Sequence, residues 1–205
     1  MEPVGSGTEI YLAVEGSLDE DILQRLLQEF SLTAKKVYGL QGKEALLARL
    51  SDYNNSARHQ PWLVAVDLNG SAPCAPSIAP QWLPRPSPLM LFSVAVRTIE
   101  AWLLADREGF SKWLEVPANK VGIRPETLEN PKKTLVRLAS GSRRRDVREG
   151  IAPAKGMAGT GPLYRTLLAE FVRDSWNPRR AAKHSPSLAR CLRRMEEWAA
   201  KIPAP

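Results

Sequence analysis

Soft metal ligands are scarce in this sequence, which has two cysteines and two histidines in 205 residues. Cys74 and Cys191 lie far apart and form no Cys-x-x-Cys pair. A chain of this length needs no disulfide framework, and their spacing disfavours a zinc site and fits a reducing compartment, so both read as ordinary thiols. His59 and His184 each lack a second ligand at metal spacing and read as surface histidines. Neither a Gly-x-Ser-x-Gly turn nor a cysteine and histidine grouping is present, which argues against a nucleophilic hydrolase. No apolar run approaches the roughly 20 residues that span a bilayer. The start, Met1-Glu2-Pro3, has neither the basic opening and apolar core of a signal peptide nor a Met-Gly acylation site. The expectation is a cytoplasmic protein without membrane contact. Lys155-Gly156-Met157-Ala158-Gly159-Thr160-Gly161 is glycine-rich, but it lacks the order of a P-loop and follows no predicted strand, so it reads as a flexible loop. There is no internal repeat.

Basic residues, by contrast, are in surplus: 29 against 22 acidic ones give a formal charge of +7, which favours contact with polyanions. The length suits one substantial domain, or a domain with an appended subdomain, able to bury a core without staples. Proline concentrates between Gly70 and Pro88, at 73, 76, 80, 84, 86 and 88. That stretch predicts an extended, mobile loop or insertion rather than a helix.

Apolar periodicity organises the first half. Ile10 to Val14 reads as a buried strand ending at Glu15, and Gly16 turns the chain. Ser17 and Glu20 then make a capping box for a helix carrying Leu18, Ile22, Leu23, Leu26, Leu27 and Phe30. A second strand is predicted over Ala34 to Leu40 and a helix over Gly42 to Tyr53. Trp62 to Val66 is apolar on both parities and too short for a helix, so it predicts a buried strand, ending in Asp67. Leu89 to Ala95 predicts another strand and Arg97 to Asp106 a helix. This alternation is the signature of parallel βαβ units. Beyond residue 107 only helices are predicted: one around Phe110, Trp113 and Leu114, one from Pro131, then Leu163 to Trp176 and Ser187 to Lys201, with 140 to 162 irregular. The expected organisation is an α/β core over 1–106, with 70–88 inserted, and a helical subdomain over 107–205.

Glu15, Asp67 and Glu100 thus stand at or just after the ends of three predicted strands, which share one edge in a parallel sheet. Three carboxylates there suit magnesium, which prefers oxygen ligands, with Asn69 offering a carbonyl or holding a bound water. A plainer reading sits beside each. Asp19, Glu20 and Asp21 fall in a helix's first turn, where acids are favoured by about 0.3 to 1 kcal/mol each. Glu100 could be a helix-start acid or pair with Arg97. Glu15 and Asp67 resist such readings, because a carboxylate at the end of an apolar strand is poorly solvated unless something binds it. Arg143, Arg144, Arg145 and Arg148, joined by Lys132 and Lys133, form either a solvated face or a grip on a phosphate backbone.

These residues together resemble a known family. Val14-Glu15-Gly16 with acids after it, a strand ending Asp67-Leu68-Asn69, and Arg97-Thr98-Ile99-Glu100-Ala101-Trp102-Leu103-Leu104-Ala105-Asp106 are similar to the TOPRIM-like family catalogued as domain of unknown function 4276. Asn130-Pro131-Lys132-Lys133 and Ala182 followed by His184-Ser185-Pro186-Ser187-Leu188 extend the likeness over most of the chain. The resemblance implies a TOPRIM-like, Rossmann-like parallel sheet flanked by helices, as in topoisomerases, primases and OLD-type nucleases. It implies magnesium or manganese chemistry on phosphodiesters of DNA or RNA, with Glu15 as general acid or base and sometimes a ligand, and Asp67 and Asn69 at the metal. It also implies a partner ATPase of the ABC or AAA type and a role in defence against phage. Asn69 departs from the family's second aspartate, which removes a charge that Glu100 and Asp19 could restore. The leading expectation is a magnesium-dependent nuclease whose Arg97 or arginine cluster contacts phosphate. The alternative is a non-catalytic regulatory or binding subunit of an ATPase complex. A phospho-receiver domain also places an aspartate at the end of a third strand, but it wants an acid pair and a lysine that cannot be placed here.

Overall fold

The structure, a computed structural model, describes residues 8–69, 75–154 and 156–202. Cys74, Lys155, the opening Met1-Glu2-Pro3 and the first part of the proline-rich stretch lie outside the described residues. In chain order the elements are β1 (Thr8–Val14), α1 (Ser17–Gln28), β2 (Leu32–Gly39), α2 (Lys43–Ala48), α3 (Leu50–Ser56), β3 (Trp62–Asp67), α4 (Ala75–Trp82), β4 (Met90–Ala95), α5 (Glu100–Ala105) and α6 (Arg107–Leu114). Two 3₁₀ turns, at Ala118–Lys120 and Pro125–Thr127, lead to α7 (Pro131–Ser140), α8 (Arg145–Ile151), α9 (Tyr164–Asp174), α10 (Pro178–Ala181) and α11 (Pro186–Ala199). No helix among them is long and apolar enough to cross a membrane.

The chain divides into two compact units. One comprises 1–66, 74–94 and 190–205; the other comprises 67–73 and 95–189. The four strands form one sheet in the order β2-β1-β3-β4, and β1 runs parallel to both its neighbours. Ile10, Leu12, Ala13 and Val14 are fully buried, on both parities, as expected of a central parallel strand covered on both faces. Five consecutive residues of β3, from Trp62 to Val66, are buried likewise. The fold is therefore the α/β arrangement expected from the alternation of periods: a parallel sheet flanked by helices. Tyr11 stacks on Trp62 at 5.1 Å and Trp62 on Tyr53 at 4.8 Å, so aromatic rings tie the amino-terminal ends of β1 and β3 to α3.

Four local expectations are corrected. Ser17 is the first helical residue of α1, not its cap; Gly16 occupies the cap with no side-chain bond, and Glu20 Oε1 instead accepts a bond from Gln24. The predicted helix over Gly42 to Tyr53 is two helices, because the backbone leaves helical geometry at Arg49 (φ −101°, ψ 2°). The proline-rich stretch contains a helix, α4, with Pro80 inside it. Proline costs a helix one hydrogen bond, but Trp82 meets the edge of Phe92 at 6.4 Å and lies under the Lys43 ammonium at 4.5 Å, and Leu83 is buried. Tertiary packing outweighs the local penalty. Last, the stretch expected to be irregular contains α8, which buries Val147, Gly150 and Ile151 at helical spacing. Gly150 is needed for close packing there, since a Cβ at that position would stand 2.7 Å from Leu167 Cδ1.

Gly39 fixes the edge at which β1 ends. Its φ is +90°, and a Cβ on it would come within 2.2 Å of the Val14 carbonyl oxygen. Leu40 N and Gly42 N then donate to the carbonyls of Val14 and Glu15 at 3.0 Å each, so the β2–α2 turn holds the backbone of Glu15. Gly39→Ala is therefore expected to cost about 2 kcal/mol of stability. Urea unfolding followed by circular dichroism checks this, and an unchanged midpoint would contradict it.

Candidate functional site

In the first unit, Glu15 follows directly on the last residue of β1 and is half-buried. Asp19 lies in the first turn of α1, and its carboxylate folds back over Gly16: a Cβ on Gly16 would stand 3.0 Å from Asp19 Oδ2. The requirement for glycine at 16 is thus one of space rather than of backbone, because φ is an extended −147°. Asp19 and Glu15 consequently flank the same turn. The carbonyls of this turn are engaged as well, Gly16 O accepting from Glu20 N at 3.2 Å.

Asp67 and Asn69 belong to the second unit. Asp67 is the last residue of β3 and half-buried; Asn69 is exposed and takes left-handed backbone geometry (φ 50°) while its N–H donates to Arg97 O at 2.9 Å. Asparagine and aspartate tolerate that conformation better than other side-chain-bearing residues, so a turn requirement accounts for a short polar residue here independently of any metal. Leu68 N donates to Ala95 O at 2.8 Å, which keeps the segments after β3 and β4 in parallel register. The peptide between Val96 and Arg97 is cis, and Thr98 Oγ1 in the same loop is buried without a hydrogen bond.

Glu100 opens α5 and is buried, as are all six residues of that helix. Its Oε1 accepts a 3.0 Å bond from the Tyr164 hydroxyl, and no ion pair joins it to Arg97 among the described residues. No three histidine, cysteine, aspartate or glutamate side chains among the described residues form a group that could hold a metal ion. Glu15 belongs to one unit, and Asp67 and Glu100 to the other.

The remaining motif residues have structural work. Asp106 is wholly buried: it caps α6 through Gly109 N at 3.1 Å, accepts from Asn177 N at 2.8 Å, and takes the Arg180 guanidinium on both oxygens, Nη2 to Oδ2 at 2.8 Å. The pair holds Arg180 above even its usual range, chiefly through that hydrogen bond. Ser187 Oγ accepts from Trp102 Nε1 at 2.7 Å and from Val96 N at 3.2 Å, and donates to Glu126 Oε1 at 2.7 Å. Ser185 Oγ also donates to Glu126, and its oxygen caps α11 by accepting from Leu188 N at 3.2 Å. Asn130 is the cap of α7, accepting from Lys133 N at 2.8 Å. In the first unit, burial pushes the thiol of Cys191 up from its ordinary value.

The cations divide into two sets. Arg144 pairs with Asp146 and Glu170 and lies over the Trp113 ring, Arg145 pairs with Glu149, and Arg148 donates to Ser142 O. Arg143 is exposed. Lys132, Lys133 and Arg137 face a cleft of about 760 Å³ between α7 and the 152–160 loop, and none of the three is ion-paired among the described residues. Arg137 was not singled out from the sequence. Its spacing to Lys133, four residues on one helix, is the signal that marks it.

The chain matches no family model, no curated protein and no solved structure.

The role of Asp106 is testable without any activity. Asp106→Ala removes the helix cap and strands Arg180 beside a buried apolar gap, so a loss of about 3 kcal/mol is expected. Denaturant titration measures it, and a loss under about 1 kcal/mol would show that the pair is replaceable.

Proposed function

We propose that this chain is a magnesium-dependent nuclease of TOPRIM type, with Glu15 and Asp67 as its working carboxylates. One observation carries the reading. The sheet order β2-β1-β3-β4 reverses direction between β1 and β3; Glu15 directly follows the first of these strands and Asp67 is the last residue of the second. In open α/β sheets, ligands bind outside the carboxyl ends of the strands at such a switch point.

The residues fit the cation chemically. Carboxylates and an amide are hard oxygen donors, and magnesium commonly takes only one or two protein carboxylates while keeping several waters. Glu15, Asp67 and Asn69 would hold it, with Asp19 beside Glu15; Glu100 is a further donor whose Oε1 is already engaged by Tyr164. When bound, magnesium or manganese would stabilise the negative charge that builds up at a phosphoryl group during displacement. Glu15 moves a proton at the attacking or leaving oxygen of the scissile phosphate, a role suited to a half-buried carboxylate. The exposed cations of α7 supply counter-charge for a DNA or RNA backbone.

Asn69, an uncharged amide where the resemblance expects a second aspartate, favours a second reading. In it, the chain is a non-catalytic subunit that keeps the TOPRIM shape and docks on an ABC- or AAA-type ATPase, and defence against phage is a setting open to both. The test is cleavage of single- and double-stranded DNA and of RNA by purified protein with magnesium or manganese. Glu15→Gln and Asp67→Asn are expected to lower the rate at least about 100-fold with folding unchanged. Equal rates in both variants would overturn the assignment. A silent wild-type protein, with no carboxylate-dependent metal binding by calorimetry, would support the subunit reading.

A further inference from the structure

We infer that the cleft between α7 and the 152–160 loop binds a nucleoside phosphate, either free or as a unit of a nucleic-acid strand. The cleft lies wholly within the second unit, and its volume of about 760 Å³ is in the range of small-molecule and cofactor sites. Its lining is chemically divided. Lys132, Lys133 and Arg137 stand on the α7 wall, where residues three and four apart share a face. Val136, Pro153, Ala154 and Met157 supply apolar surface, and among the described residues no aspartate or glutamate lines the cleft. Three cations gathered without a carboxylate repel one another and favour an anion between them. A bare anion would leave the apolar part unused, and Met157 in particular is 69 % exposed, an unusual position for a large apolar side chain. A phosphate joined to a planar base matches both parts, the phosphate on the cations and the base on the methionine and proline surface.

Two further features shape the site. The loop is pinned at its far end, where Gly161 N and Leu163 N donate to the carbonyls of Ile151 and Gly150 at 2.7 and 2.9 Å. Gly156 and Gly159 take positive φ (85° and 98°), a geometry that glycine adopts without strain, so at these two positions backbone forms the wall. On the other side the Lys132 ammonium lies 5.2 Å from the ring of Tyr164, the residue whose hydroxyl holds Glu100. The cleft is thereby connected through one side chain to a candidate site residue in the same unit. The amino terminus of α7 is not the anion site, since Asn130 already occupies Lys133 N.

The strand form of this inference rests on the nuclease reading, and the free-nucleotide form does not. Calorimetry on the whole protein, with a chelator present so that metal plays no part, would use adenosine triphosphate, inorganic pyrophosphate and a short single-stranded oligodeoxynucleotide. Binding of the triphosphate or the oligonucleotide is expected, weakened roughly tenfold by each of Lys133→Glu and Arg137→Glu. Met157→Ser should also weaken it, whereas Arg58→Glu, an exposed cation of the other unit, should not. Tighter binding of the triphosphate identifies a free nucleotide as ligand, and tighter binding of the oligonucleotide identifies a strand. Pyrophosphate bound as tightly as the triphosphate would overturn the role of the base. Binding indifferent to both charge reversals would overturn the site. Glu15→Gln should bind as the parent does, whereas a parent protein that binds the triphosphate in the cleft but never cuts counts against the nuclease reading and leaves the free-nucleotide site standing.

Discussion

Parallel pairing of β1 with β3 is the constraint on which the rest depends. Tyr11, Leu12 and Ala13 pair with Trp62, Leu63 and Val64, a register that brings the two strands to their ends at nearly the same level. A one-residue slip would exchange the side chains of the two faces, and because both faces are apolar it is close packing, with the stack of Tyr11 on Trp62, that holds the register. Glu15 and Asp67 each stand where a run of buried strand residues ends, just after Val14 and Val66. The turn after β2 reinforces the same edge from the other side, through Gly39 and the amides of Leu40 and Gly42.

A second, separate organisation governs the helical unit. Helix α5 is buried along its whole length, and its polar groups are spent on neighbours: Trp102 on Ser187, Glu100 on Tyr164, and Asp106 just beyond it on Arg180 and Asn177. Buried polar groups are tolerated when each finds a partner, and such networks fix one arrangement of helices among many of similar hydrophobic content. The wording Glu-Ala-Trp-Leu-Leu-Ala-Asp is thus explained in large part by packing.

The strand and helix alternation was readable because β1, β3 and β4 are apolar on both parities, too short to be helices and closed by acids or turns. Lys132 and Lys133 were readable as candidate phosphate contacts from charge alone. What was not readable depends on distant partners. Nothing near Asp106 announces Arg180, and nothing near Trp102 announces Ser187, since each pair is separated by more than seventy residues of chain. The basic cluster is visible in the sequence, whereas the partners of Arg144, Arg145 and Arg148, which are Asp146, Glu149 and the Ser142 carbonyl, emerge only from the structure. Proline misled about α4, where the packing of Trp82 and Leu83 outweighs one lost hydrogen bond.

We propose that a divalent cation sits at the edge of the sheet where β1 and β3 end. Manganese is the most direct probe, because it scatters anomalously and substitutes for magnesium at oxygen sites. A crystal soaked in manganese should show an anomalous peak within coordination distance of both the Glu15 and the Asp67 carboxylates. A peak elsewhere, or none at a concentration that occupies other acidic sites on the surface, would contradict the account.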